Sequence, residues 1–304
     1  MQFMTEQSQS APISRRTLLK VGGLAAASAC AVGASGADAA ETSRTTAAAP
    51  VAADAPDRRP GLKLGIASYT FRKFDLDQTI AMTKRAALPY VCLKSFHLPL
   101  DADDEQIRTA AAKVRQAGLT LYACGVVTMH TEAQVQQAFH YAKTAAMETI
   151  VAAPSAEMLP FIEKHVKETG VRIAIHNHGP GDKHFPTPES VYEKIKSLDK
   201  RIGLCIDVGH TVRIGGDLIA ATKQCADRLF DVHIKDVTEA APKGREIEAG
   251  RGVIDLVAFL RLLREIRYAG VLAFEHESDP TDPLPGLCES VGYVRGVWDT
   301  LAKA

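Results

Sequence analysis

Gly203-Leu204-Cys205-Ile206-Asp207-Val208-Gly209-His210 carries two messages in eight residues. Its first half is short and apolar, as expected of a strand covered on both faces. Its second half turns abruptly into an acid, a glycine and a histidine. The same kind of apolar run recurs along the chain, at 62–68, 90–93, 120–127, 149–153, 172–178, 203–208, 229–234 and 270–275. Between the runs lie stretches of helical periodicity, at 77–87, 104–117, 132–144, 155–169, 188–198, 217–226 and 254–266, with a last helix expected over 289–302. Eight strand-then-helix units predict an α/β protein with a parallel sheet, and eight is the number that closes a (β/α)8 TIM barrel. An open doubly wound sheet is the alternative. No Gly-rich dinucleotide fingerprint follows the first strand, which counts against it.

The size agrees. Of 304 residues, the first 39 read as a removable leader, which leaves 265, close to the roughly 250 of a single barrel domain. An apolar content of 46% supplies a full core. The chain has 36 basic and 36 acidic side chains, and residues 1–39 carry three of the former and two of the latter, so the remainder has a net charge of −1. Such a balance gives no overall field for nucleic acid or for an anionic membrane, and neither is expected as a partner.

The leader has its own grammar. Ser14-Arg15-Arg16-Thr17-Leu18-Leu19-Lys20 precedes a small-residue apolar stretch from Val21 to Gly36, and Ala37-Asp38-Ala39 offers a cleavage site. That order predicts a secretory signal, and the paired arginines point to the twin-arginine export machinery and a periplasmic or otherwise exported protein. The alternatives are a transmembrane anchor, for which the stretch is short, and lipidation at Cys30, which lacks the usual leucine before it. Residues 40–60, rich in Ala, Thr, Pro and Asp, read as a disordered linker, with the barrel occupying 61–304. No membrane-spanning run follows residue 39. Five cysteines remain after cleavage, with no CxxC pair. Cys92, Cys124 and Cys205 fall within apolar runs, so no disulfide framework is expected.

In a barrel of this type, chemistry gathers at the carboxyl ends of the strands. The second strand ends in Lys94-Ser95-Phe96-His97, the fifth in His176-Asn177-His178, the sixth in Asp207-Val208-Gly209-His210, the seventh in His233-Ile234-Lys235-Asp236 and the eighth in Glu275-His276-Glu277. Six of the ten histidines fall at these ends. A period of two puts His176 and His178 on one side, and likewise His233 with Lys235 and Glu275 with Glu277. Imidazoles mixed with carboxylates suit Mn²⁺, Co²⁺, Zn²⁺ or Fe²⁺. The competing reading for the group is a structural hydrogen-bond network. For Lys235 it is an ion pair with Asp236.

These segments carry a resemblance. The run 205–210, the run Asp231-Val232-His233-Ile234-Lys235-Asp236, the run Phe274-Glu275-His276-Glu277 and the Gly-rich turn Gly250-Arg251-Gly252-Val253-Ile254-Asp255 are similar to the xylose isomerase-like TIM barrels. That superfamily contains sugar phosphate isomerases and epimerases, inosose dehydratase-like enzymes, 3-keto-glycoside lyases and the endonuclease IV group. In its epimerases, Glu, Asp, His and Glu hold one divalent metal. The resemblance carries these positions onto His176, Asp207, His233 and Glu275. His176 departs from the pattern: it keeps a ligand but breaks the symmetry of two glutamates flanking the substrate.

The resemblance therefore implies a metal-dependent sugar isomerase or epimerase working by proton transfer next to a carbonyl. One-sided chemistry suits the departure better, with His178, Glu277 or a metal ligand as base and β-elimination or dehydration, as in a keto-glycoside lyase, as the outcome. Lys235 joins His178 and Glu277 as a candidate catalytic group. Lys94, His97, His210 and Arg251 are candidates to hold the hydroxyls of a small-molecule sugar or keto-glycoside. An endonuclease IV-like phosphodiesterase and a non-catalytic sugar-binding barrel are the remaining readings. Related barrels often dimerise, so the resemblance allows a homodimer.

Overall fold

The computed structural model describes residues 61–303. The leader, its cleavage site and the linker at 40–60 lie outside the described residues. Eight strands close into one parallel barrel: β1 (Lys63–Ala67), β2 (Tyr90–Leu93), β3 (Thr120–Met129), β4 (Thr149–Pro154), β5 (Arg172–His176), β6 (Ile202–Asp207), β7 (Leu229–Ile234) and β10 (Val271–Phe274). Around the ring they follow chain order, and β10 closes against β1. Between β7 and β10 the chain adds a two-residue antiparallel hairpin, β8 (Asp236–Val237) with β9 (Glu246–Ile247), which the strand pattern of the sequence does not announce.

Helices α1 (Leu76–Arg85), α2 (Asp104–Gln116), α3 (Glu132–Thr144), α4 (Leu159–Thr169), α5 (Pro188–Ile195), α6 (Val208–Arg213), α7 (Leu218–Gln224), α8 (Leu256–Glu265) and α9 (Leu284–Leu301) alternate with the strands. Their starts are written locally. Asp75 with Gln78, Asp103 with Gln106 and Thr131 with Gln134 form reciprocal capping boxes that satisfy the first free amides of α1, α2 and α3. In α8, Leu256, Phe259, Leu260 and Leu263 recur at three- and four-residue spacing and all are buried against the barrel. The stretch 155–169 divides into a short 3-10 turn, Ala156–Met158, and then α4, where Pro160 occupies the first turn and needs no amide partner.

The core has two parts. One lies between strands and helices. The other fills the barrel's inside with small side chains, Cys92, Ala123, Val151, Ala174 and Cys205, beneath the polar end. The five cysteines among the described residues are all unpaired thiols, four buried and Cys288 exposed. No helix among the described residues is long and apolar enough to cross a membrane.

Candidate metal centre

Strand register brings the polar ends together. His176 is paired across to Cys205, two residues short of Asp207, while Asp207 stands opposite His233 and Ile234 opposite Phe274, just before Glu275. Four neighbouring strand ends thus converge. One ligand atom from each of His176, Asp207, His233 and Glu275 lies within 4.8 Å of the other three. His176 Nε2 is 3.1 Å from His233 Nδ1 and 3.4 Å from Asp207 Oδ2, and His233 Nδ1 is 3.2 Å from Glu275 Oε2. All four residues are buried.

Asp207 shows how the backbone prepares this arrangement. It caps α6, and its Oδ1 accepts the His210 N–H at 2.7 Å. Its own N–H donates to Asn177 Oδ1 at 3.0 Å, and Asn177 Nδ2 donates to Thr211 Oγ1. One carboxylate oxygen is therefore spent on the helix and the other, Oδ2, faces the cluster. No donor meets Oδ2 with hydrogen-bond geometry, although Lys235 Nζ stands 3.0 Å away.

Lys235 binds the carboxylates from above. Its Nζ donates to Glu275 Oε2 at 2.8 Å and Glu277 Oε1 at 2.6 Å. Asp207, Glu275 and Glu277 surround this single ammonium. With neutral imidazoles, the four groups carry a net charge of −2, which a divalent cation among the ligand atoms cancels. A buried, uncompensated charge is costly, so the donor set and its electrostatics both fit such an ion.

The buried groups also shift one another's protonation. Burial holds the His176 imidazole down to about 3. Burial also opposes charge on His233, but the Glu275 carboxylate outweighs it and raises that imidazole. Burial alone would lift the Asp207 and Glu275 carboxyls, yet Lys235 beside them holds both well below the usual range. Lys235 in turn is raised despite burial, by Asp207 first and then by Glu275 and Glu277. Below the centre, Asp231 takes the Tyr122 hydroxyl at 3.1 Å, and burial pushes its carboxyl up to about 7.

Period-two placement holds beyond the strands themselves. The His176 and His178 rings are 4.4 Å apart, and Lys235 and Glu277 reach the same centre as His233 and Glu275. His178 is 38% exposed, with Nδ1 3.4 Å from Asp182, and burial followed by the nearby His210 lowers its imidazole. Lys235 does not pair with Asp236. That carboxylate instead accepts the N–H groups of Val237, Gly250, Gly252 and Ile254, and so organises the Gly-rich turn. A cavity of about 510 Å³ is lined by His210, Lys235 and Glu277 together with Arg213, Arg245 and Glu246.

The remaining candidates part ways. Lys94 lies half-buried in the barrel mouth and donates to the Val126 carbonyl at 2.6 Å. Burial lowers its ammonium. His97 and Arg251 are engaged by other residues. His97 is buried, with Nδ1 2.9 Å from Ser68 Oγ and Nε2 3.1 Å from the Phe71 carbonyl, so neither nitrogen is left for a sugar. Arg251 forms a two-pronged pair with Glu289 of α9 and is not among the residues that line the cavity. Sequence reasoning missed Asn177, because it alternates away from the two histidines beside it. It also missed Arg213, Arg245 and Glu246, because neither a short helix nor a two-residue hairpin has a readable period. A larger hollow of about 840 Å³ lies at the opposite, amino-terminal end of the strands, beside Lys63, Tyr90, Thr120 and Arg172. That is the end where barrels of this kind place stability and not chemistry.

The fold recurs among known proteins. The chain is 29% identical over 147 residues to the rhizopine catabolism protein MocC of Rhizobium meliloti, covering 43% of this chain and 45% of that protein. It is 31% identical over 147 residues to an inosose dehydratase of Geobacillus thermodenitrificans, covering 42% and 48%. The chain thus spans about half the length of the curated relatives it matches. Among solved structures, the IOLI protein with a bound zinc atom superposes with a TM-score of 0.68 at 18% identity, over 79% of this chain and 99% of that one. L-ribulose 3-epimerase superposes with a TM-score of 0.65 at 17% identity, over 80% and 96%. Residues 38–296 match one family description across most of the chain, and by that match the protein belongs to the xylose isomerase-like TIM barrel family.

Proposed function

We propose that the protein is a divalent-metal-dependent enzyme that takes a proton from the carbon beside a carbonyl of a sugar or keto-sugar. The observation that carries this reading is the pairing of Lys235 with Glu277 at the open edge of the His176, Asp207, His233 and Glu275 cluster. A bound Mn²⁺, Co²⁺, Zn²⁺ or Fe²⁺ supplies Lewis-acid polarisation of the carbonyl, which acidifies the neighbouring C–H. Glu277 is 39% exposed and lines the cavity, which supports its carboxylate as the acceptor of that proton. Lys235 orients Glu277 and offers an ammonium to the oxygen on which charge develops. His178 and His210, whose rings lie 6.0 Å apart, would serve as donors to hydroxyls.

Both carboxylates beyond Asp207 come from one strand end, and the fifth strand contributes an imidazole instead of a facing glutamate. This one-sidedness favours loss of a group from the next carbon, β-elimination from a keto-glycoside, over two-base epimerisation. Isomerisation shares the same first step. Inosose dehydratase and inosose isomerase among the relatives agree with proton transfer at such a carbon. We further propose export by the twin-arginine route, with cleavage after Ala39, for which amino-terminal sequencing of the exported protein is the check.

The deciding experiment is NMR of keto-glycosides and free ketoses in D2O with the metal-loaded protein. Deuterium should enter the carbon beside the carbonyl. No exchange with any of these substrates and metals would remove proton abstraction as the mechanism.

A further inference from the structure

Phe96 is the most exposed large apolar side chain among the described residues, at 56%. It does not stand alone. Its ring meets that of Tyr69 with centroids 6.0 Å apart and planes at 46°, forming an aromatic corner between the loops that follow β1 and β2. The Arg72 guanidinium lies over the Tyr69 ring, 4.6 Å from its centroid.

Both loops are anchored on each side of this corner. The Lys94 N–H donates to Ser68 Oγ at 2.7 Å, Ser68 Oγ lies 2.9 Å from His97 Nδ1, and His97 Nε2 lies 3.1 Å from the Phe71 carbonyl. These bonds cross from one loop to the other between the neighbours of the two rings in sequence. A second set of bonds ties the corner to the chemistry. Thr70 Oγ1 accepts the His276 N–H at 2.9 Å, and Arg72 Nη2 donates to the Glu277 carbonyl at 2.8 Å. The exposed aromatic surface is therefore held in fixed relation to the backbone of Glu275, His276 and Glu277. Packing demands none of this, since Phe96 is mostly out of the core.

We infer that the Tyr69–Phe96 corner is a subsite for the second ring of a glycoside whose first ring occupies the metal centre, so that the substrate is a disaccharide-type keto-glycoside and not a free monosaccharide. The inference rests on the proposed proton-transfer reading for the first ring. A pyranose carries its hydroxyls around its edge and presents C–H groups on its faces, and such a face packs on an aromatic ring. Two rings set at an angle fix the orientation of the incoming face, and the charged Arg72 beside them can meet edge hydroxyls. A stacked contact of this kind is worth about tenfold in affinity.

The test compares a 3-keto-disaccharide with the matching 3-keto-monosaccharide on the metal-loaded protein, in wild type, Phe96→Ala and Phe96→Tyr. Phe96→Ala should lower kcat/KM for the disaccharide about tenfold more than for the monosaccharide, and Phe96→Tyr should restore most of the difference. Equal losses on both substrates would overturn the subsite. Saturation-transfer NMR with the unreactive disaccharide cellobiose separates this idea from the reaction itself. Transfer to C–H protons of both rings, reduced on one ring by Phe96→Ala, supports the corner even if no keto-sugar exchanges deuterium. Transfer unchanged by Phe96→Ala, or absent, refutes it. A dimer in light scattering that Phe96→Ala dissociates would also overturn it, by assigning the ring to contact between copies of the chain.

Discussion

The stem of Lys235 lies across the α-carbon of Gly209, so close that a β-carbon built there would stand 2.8 Å from Lys235 Cγ and Cδ. The glycine in the Asp207-Val208-Gly209-His210 turn thus makes room for the lysine that binds three carboxylates. Gly209→Ala should push Lys235 out of register, because its charged end is fixed and its stem has nowhere to swing. Overpacking of this kind costs about 1–3 kcal/mol. A lowered Tm, together with weaker metal retention than wild type, checks it. An unchanged Tm and metal content would show that Lys235 can yield.

The metal ligands make a separate prediction. Asp207→Ala and His233→Ala should leave a circular-dichroism spectrum of a folded barrel but purify without divalent metal. Wild type should gain about 2.7 kcal/mol of stability at a metal concentration a hundredfold above Kd, whereas the two variants should gain none. Thermal shifts with and without Mn²⁺, Co²⁺ or Zn²⁺ read this directly.

Removing the base should separate binding from chemistry. Glu277→Gln keeps the shape and a hydrogen-bond acceptor for Lys235, and lies outside the four-ligand set. It should retain metal while slowing deuterium exchange by about 10²–10⁴-fold, the usual contribution of a general base. A rate near that of wild type would move the role to His178.

His97, which is outside the candidate ligand set, predicts a pH effect of its own. Burial lowers its imidazole below the ordinary 6.5. The folded chain then refuses a proton that the unfolded chain accepts, so stability is full above pH 6.5 and is lost as pH falls below it. The bonding pattern agrees, since Nε2–H facing the Phe71 carbonyl leaves Nδ1 to accept from Ser68. Denaturant titrations between pH 7 and 5 should show a shallower loss in His97→Gln, by at most about 1.4 kcal/mol per pH unit. Parallel curves for the two proteins would contradict this.

Asp236 should matter through the backbone. Its carboxylate takes four N–H groups, from Val237, Gly250, Gly252 and Ile254. Each amide left without a partner costs about 1–3 kcal/mol. Asp236→Ala should therefore destabilise by at least about 3 kcal/mol in urea unfolding, and Asp236→Asn, which keeps one acceptor oxygen, by clearly less.

Much of this was legible because two periods suffice. A parallel strand is an apolar run, and β2 and β7 begin and end where the residues change character, at Tyr90–Leu93 and Leu229–Ile234. The strand-end rule then narrows the polar candidates, and the family resemblance carries a ligand set onto His176, Asp207, His233 and Glu275 from among them. What escaped depends on partners far along the chain. The last helix begins at Leu284 and not near 289, because Pro285 is tolerated in a first turn although it reads as a breaker. Helix α6 is six residues long and starts where Asp207 caps it, a start with no apolar stripe behind it. His97 and Arg251 have the right residue types at the right ends, but Ser68, Phe71 and Glu289 claim their side chains. No local pattern encodes those claims.

The four candidate ligands come from the ends of β5, β6, β7 and β10, which are consecutive around the ring, so the candidate centre occupies one arc of the barrel. The opposite arc, after β1 to β4, contributes no ligand to that set. On the proposed function, changes in its loops should alter which molecule is admitted while leaving the candidate ligands in place. The barrel is in that sense divided between inheritance and adaptation. A library confined to residues 68–74 and 94–100 should yield variants of changed substrate preference at constant metal content, a division of labour an engineer could use directly.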